Sequence, residues 1–189
     1  GWTTAESCSA DQVCTSDGAS GSCEDCPHGC SGGECVDCIQ GTNVAPQATP
    51  SSSGGGEEGP GYGPSEMNDG ALQATCEFHW VETEESTGWI QYDWSAEQML
   101  FGMWIDTNYL TEDGCTTPRT LGSGTVQWWT GSSWSTIQTL SGQTDDWSLT
   151  FPAPITTTAL RVSDIQVNPS ASGQGYNPVI YEWEVYRCY

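Results

Sequence analysis

Seven of the ten cysteines of this chain fall within its first 38 residues, at Cys8, Cys14, Cys23, Cys26, Cys30, Cys35 and Cys38, and only Cys76, Cys115 and Cys188 follow. Those first 40 residues show almost no apolar periodicity and are rich in Gly, Ser and Asp. A segment of that composition buries too little apolar surface to fold unaided, so covalent cross-links have to hold it. Cysteine at this density points to an oxidising compartment and a disulfide framework. The pairs Cys23-x-x-Cys26 and Cys35-x-x-Cys38, with His28 between them, also have zinc-like spacing, but so many cysteines favour disulfides. Parity adds a constraint. Seven and three are both odd, so if all ten cysteines pair, an odd number of bridges joins the N-terminal segment to the rest of the chain.

The charge balance excludes whole classes of function. Asp and Glu number 25 against three Arg and no Lys, for a formal charge of −22. Nucleic-acid binding needs a basic stripe to neutralise phosphates, which three arginines do not supply, and anionic membrane surfaces repel such a chain. The longest apolar run, Met99 to Ile105, is broken by Gly102 and is far short of the ~20 residues that span a bilayer, so no membrane insertion is expected. Ten Trp and seven Tyr supply material for a core despite the charge. The sequence opens at Gly1 with no charged and apolar leader, from which a mature secreted, extracellular chain is expected.

Composition divides the chain into a disulfide-stapled segment, residues 1–40, and a larger domain, residues 41–189. Between Gly41 and Ser65 Gly, Pro, Ser and Ala dominate, which fits either a flexible linker or a first strand from Asn43 to Ser53 followed by a long loop. From Ala71 onward the pattern is β. Gly88-Trp-Ile-Gln-Tyr-Asp-Trp94 alternates and places Ile90, Tyr92 and Trp94 on one face. Thr125 to Thr130 alternates as well, and Thr130-Gly131-Ser132-Ser133 is a hairpin turn into Trp134-Ser-Thr-Ile137. Ala159 to Val162 and Ile180 to Tyr186 close the series. No segment has a convincing helical period. Many short strands separated by turn signals predict an all-β sandwich or jelly roll.

The order and spacing of these motifs resemble the discoidin, or coagulation-factor type C, superfamily with its galactose-binding-like jelly-roll β-sandwich. Asn43-Val-Ala-Pro-Gln-Ala-Thr49 is similar to that family's opening strand, and Asn68-Asp69-Gly70 to its early loop. Trp89 to Trp94 is similar to the second strand, Val126 to Trp134 to the central hairpin, and Ile155 to Val162 and Tyr181 to Val185 to the last two strands. The likeness covers residues 41–189 and implies that Asn43 starts a strand. It also implies that the first and last strands lie side by side. That arrangement supports pairing Cys38 with Cys188, leaving Cys76–Cys115 and three bridges of open connectivity among Cys8, Cys14, Cys23, Cys26, Cys30 and Cys35.

Relatives of this fold often hold a structural calcium beside the Asp-Gly loop. Carried over, the ligands are the Asp69 carboxylate, the Leu72 carbonyl, Thr75 by its hydroxyl or carbonyl, and the Glu182 carboxylate, an all-oxygen set suited to a hard cation. Asp69 also fits a plain turn residue, and Cys76, directly after Thr75, departs from the family pattern.

Sugar recognition needs an aromatic plane with planar polar partners. Alternation assigns Trp94, Trp128 and Trp183 to the core and Trp129 to the opposite face. The ligand-binding candidates are Trp80, Trp129 and Trp147, with Asn108 and Arg119 as polar partners in the long insertion Thr107 to Gly124. Catalytic chemistry finds no nucleophile motif, so no enzyme is expected. The function these features predict is a secreted carbohydrate-binding, lectin-like module held by calcium and disulfides, with an extracellular glycan as partner. The alternative is a structural subunit of an extracellular filament or surface layer, a homo-oligomer assembling through the cysteine-rich arm.

Overall fold

The computed structural model describes residues 13–14, 23–24, 30–31, 34–35, 41–53, 63–70, 80–81, 87–107, 120–168 and 179–188. In the cysteine-rich segment, strand β1 (Val13–Cys14) pairs with β2 (Cys23–Glu24), and β3 (Cys30–Ser31) with β4 (Glu34–Cys35). Both pairs are antiparallel, and the register sets Cys14 opposite Cys23 and Cys30 opposite Cys35. Cys8, Cys26, Cys38, Cys76 and Cys115 lie outside the described residues.

The domain that follows contains β5 (Thr42–Asn43), β6 (Thr49–Ser52), β7 (Trp80–Val81), β8 (Thr87–Asp106), β9 (Leu121–Trp129), β10 (Trp134–Leu140), β11 (Trp147–Val167), β12 (Val179–Ile180) and β13 (Glu182–Arg187). Two of these strands organise the whole. β8 and β11, of 20 and 21 residues, run antiparallel along almost their full length, and each bends midway. The cause is visible in β11, where the ladder breaks between Thr150 and Ile155. Pro152 and Pro154 fall in that gap, and proline has no N–H to give a ladder.

Bending folds one hydrogen-bonded network into two layers. The early half of β8 and the late half of β11 join β6, β9 and β10 in the order β6-β8-β11-β9-β10. The other halves join β13 and β5 in the order β11-β8-β13-β5. Ile90, Tyr92, Leu160, Val162 and Val126 from the first layer meet Leu100, Met103, Ile105, Trp183 and Val185 from the second in one core. Tyr92 stacks on Trp183 with ring centroids 4.1 Å apart. Its buried hydroxyl, with one proton to donate, lies between the carbonyls of Met67 (2.8 Å) and Trp183 (2.9 Å), which share it. The alternation through Ile90, Tyr92 and Trp94 therefore points inward as predicted.

The chain's opening differs from a single strand running from Asn43. Thr42 and Asn43 pair with Arg187 and Tyr186 of β13. A 3-10 turn, Ala45–Gln47, with Pro46 in its first turn then redirects the backbone, and β6 joins the other layer. The Asn43 side chain holds the corner, accepting from the N–H groups of Ala45 (3.0 Å) and Val185 (3.1 Å). First and last strands do lie side by side, and Cys188, one residue past β13, is disulfide-bonded. The predicted hairpin forms as well. Gly131 takes φ +90°, a conformation open to glycine, and the Thr130 N–H donates to Ser133 O at 2.9 Å. Residues Leu121 to Gly124, expected within the long insertion, belong to β9.

Gly102 marks a close approach of β8 and β11. A Cβ there would lie 2.8 Å from the Leu149 carbonyl oxygen, a backbone atom that cannot step aside cheaply. Gly102→Ala is therefore expected to cost about 1–3 kcal/mol of stability, read as a lower urea midpoint with an unchanged slope.

Candidate functional site

The early loop forms a 3-10 turn, Pro64–Asn68, ending at Asp69 and Gly70, the latter at φ +78°. Asn68 ties it to the sandwich by donating to the carbonyls of Ala45 (2.8 Å) and Ala48 (3.3 Å). Gly70 N–H donates to Glu182 Oε2 at 3.3 Å across 112 residues of sequence, so the structure brings Glu182 to the loop that carries Asp69. Glu182 is 0% exposed and its Oε1 has no hydrogen-bond partner among the described residues. Burial pushes its carboxyl up to about 8, Asp69, Glu184 and Asp106 push the same way, and only the Gly70 N–H opposes them. A buried carboxylate oxygen without a donor is costly, and a hard cation would satisfy it. The two proposed carboxylate ligands thus fit calcium. Leu72 and Thr75 lie outside the described residues. Among those that are described, no group of three or more Asp, Glu, His or Cys side chains forms a cage, so carbonyl and hydroxyl oxygens would complete the shell.

A second constellation lies on the outward face of the five-stranded layer. Register sets Trp129 opposite Trp134 across the hairpin and Gln127 opposite both Thr136 and Arg161. The two indoles meet edge-to-face with centroids 5.5 Å apart. The Arg161 guanidinium lies 4.2 Å from the Trp134 ring centre, a cation–π contact. Arg161 Nε donates to Gln127 Oε1 at 2.7 Å, and Ser163 Oγ donates to the same oxygen at 3.1 Å. Partial burial lowers the guanidinium from its ordinary value and Asp164 raises it, but arginine's value is high enough that the charge persists. What stays without a partner among the described residues is a set of donors: both Arg161 Nη groups, the Gln127 amide NH2 and both indole N–H groups. The arrangement is a rigid aromatic corner beside planar polar groups.

The sequence-predicted ligand residues fare differently from one another. Trp129 is on the outward face as expected and half-buried. Trp147 is not exposed, and this corrects the expectation. It is 1% exposed, and its indole N–H donates to Leu121 O at 3.1 Å. The physical reason is its place at the start of β11, where alternation with Leu149 and Phe151 turns it inward, and Gly124 opposite leaves room for the ring. The Trp80 backbone pairs with Ile180, and its side chain lies outside the described residues, as do Asn108 and Arg119. Trp134, Arg161 and Gln127 were missed. A signal for Trp134 existed, because a four-residue turn at Thr130–Ser133 makes residues 129 and 134 cross-strand partners.

Comparison with solved structures now decides the architecture. The family 32 carbohydrate-binding module from Streptococcus pneumoniae EndoD superimposes with a TM-score of 0.63 at 18% identity, covering 77% of this chain and 99% of the module. The family 32 module from C. perfringens NanJ, solved with galactose, gives a TM-score of 0.59 at 14% identity and covers 78% of this chain and 98% of its own. Chitosan-binding module 1 of a Paenibacillus sp. IK-5 chitosanase/glucanase gives 0.59 at 22% identity, with 77% and 98% covered. The fold is the discoidin-like jelly roll. No protein-family model and no curated protein sequence matches the chain. Within this jelly roll the loop that carries Asp69 packs against the closing strand β13, and the aromatic corner occupies the opposite layer's outer surface.

Proposed function

We propose that this chain is a non-catalytic carbohydrate-binding module of a secreted protein, with Trp129, Trp134, Arg161 and Gln127 in contact with the glycan. One observation carries the proposal: two half-exposed indoles, fixed against each other and against a guanidinium, stand beside hydrogen-bond donors that no described protein group uses. Pyranose rings offer an apolar C–H face to aromatic planes and hydroxyls to planar amides and guanidinium groups, so the chemistry is complementary. Modules of the same fold that bind galactose or chitosan support it. A structural calcium ion, held by Glu182 and Asp69 with Thr75 and Leu72, would neutralise the buried Glu182 carboxylate and fasten the early loop to β13. Disulfides staple the N-terminal segment and, through Cys188, the closing edge of the sandwich.

The test is retention on insoluble chitin, xylan, glucomannan and galactan in about 0.5 M salt, which screens the chain's charge. The wild type is expected to be retained on at least one polymer and Trp134→Ala released from it. Failure of the wild type on all four would end the proposal. Light scattering in the same buffer distinguishes the filament alternative, which requires assemblies larger than a monomer.

A further inference from the structure

Trp89 is exposed, at 36%, and it stands on the same outward face as the aromatic corner. Its indole N–H has no partner among the described residues. Between Trp89 and the corner lies a row of side chains set by register: Ser51 opposite Gln91, Gln91 opposite Arg161, Arg161 opposite Gln127, Gln127 opposite Thr136. This row crosses all five strands of the layer, a span of about 19 Å at ~4.8 Å per strand. Every member is polar, and only Arg161 carries a charge. Trp89 sits two residues to one side of the row on β8, between the pairs Ile90–Val162 and Gly88–Ile165 where β11 carries one extra residue, while Trp129 and Trp134 flank it on the other side. Strand and residue spacings then put the two aromatic stations roughly 17–20 Å apart along a diagonal.

We infer that this face binds an internal stretch of an extended, uncharged polysaccharide, running diagonally from the Trp129–Trp134 corner across Arg161 and Gln91 to Trp89. The inference rests on the carbohydrate-binding proposal and adds the form of the ligand. A single sugar cannot touch both aromatic stations at this separation, whereas a chain several units long touches both and the polar row between them. The row's unused donors and acceptors, including the Arg161 Nη groups and the Gln127 NH2, fit ring hydroxyls at successive units. Gln91 is oriented for this, because its NH2 donates to Asp93 at 2.7 Å and leaves its carbonyl oxygen free as an acceptor. The formal charge of −22 repels uronate-bearing or sulphated chains, and the Arg161 guanidinium in the middle of the row disfavours cationic ones, which leaves neutral chains.

The experiment is isothermal titration with cello-oligosaccharides and N-acetylchito-oligosaccharides of two to six units, using the full chain, Trp89→Ala and Trp134→Ala. Affinity in one series is expected to rise about tenfold or more from dimer to hexamer. Trp89→Ala should weaken the hexamer about fivefold and leave the dimer unchanged, because Trp89 contacts only the distal units. Its exposure predicts an unchanged melting temperature. Equal affinity for dimer and hexamer, with Trp89→Ala silent and Trp134→Ala defective, would overturn the inference and leave the carbohydrate-binding proposal standing. No binding to either series, together with no retention on any of the four polymers, would overturn both.

Discussion

Trp147→Ala is expected to cripple folding, and Trp129→Ala to leave folding intact while weakening glycan binding. Both residues are tryptophans near the ends of strands, and the sequence alone offers both as sugar platforms. Removing the Trp147 ring opens a cavity in the sandwich, for which large aromatic truncations cost about 3–5 kcal/mol. It also strips the Leu121 carbonyl of its buried donor, adding about 1–3 kcal/mol. Against a typical total of roughly 5–15 kcal/mol, the sum unfolds much of the population at 37 °C. Trp129 is half-buried, and its backbone position is secured independently, by the ladder with β10 and by Thr157 Oγ1 donating to its carbonyl at 2.9 Å. Its truncation removes an aromatic anchor, with an expected loss of about 2 kcal/mol of binding, near thirtyfold in Kd. Thermal unfolding and titration on the same two variants check the pair. A well-folded Trp147→Ala protein would contradict the core assignment.

Calcium is expected to change the pH dependence of stability. Glu182 sits at about 8 in the metal-free fold, well above its ordinary value near 4.5, chiefly through burial. The folded state therefore holds a proton that the unfolded chain releases between those values. Stability is fully present below about pH 4.5 and declines as pH rises toward 8, by up to about 1.4 kcal/mol per unit. Calcium takes the proton's place, so saturating metal is expected to abolish the decline and to raise the melting temperature most at pH 8. Glu182→Gln keeps the volume and removes the charge, so it should flatten the metal-free profile and lose the calcium response. Denaturant titrations at pH 5 and pH 8, with calcium and with EDTA, read all of this. Identical midpoints in the four conditions would contradict both the buried carboxylate's role and the metal site.

The candidate site was only partly legible in the sequence. The pairing of Asp69 with Glu182 came from a family likeness, because nothing local links positions so far apart in the chain. The structure adds the orphaned Oε1 and the Gly70 N–H that make the pair chemically meaningful. Trp129 was placed by simple alternation with Trp128. Arg161 was invisible as its neighbour, since β9 and β11 meet only after the hairpin and a further loop have returned the chain. Trp89 was read only as part of a strand. Its membership of the same face depends on which strands β8 and β11 bring beside it.

By itself the sequence determined the β class, the inward set Ile90, Tyr92 and Trp94, and the hairpin at Gly131. Each of these follows from a period of two or a turn residue, which are local properties of the polymer, whereas the adjacency of the chain's first and last strands came from the family likeness and is a long-range pairing. Tertiary structure alone decided that Asn43 turns a corner within a few residues, and that Trp129, Trp134, Arg161, Gln91 and Trp89 share one exposed surface. These are properties of strand order and register. The bends in β8 and β11 set that register, and a side chain's face, unlike its polarity, depends on what lies across the ladder from it.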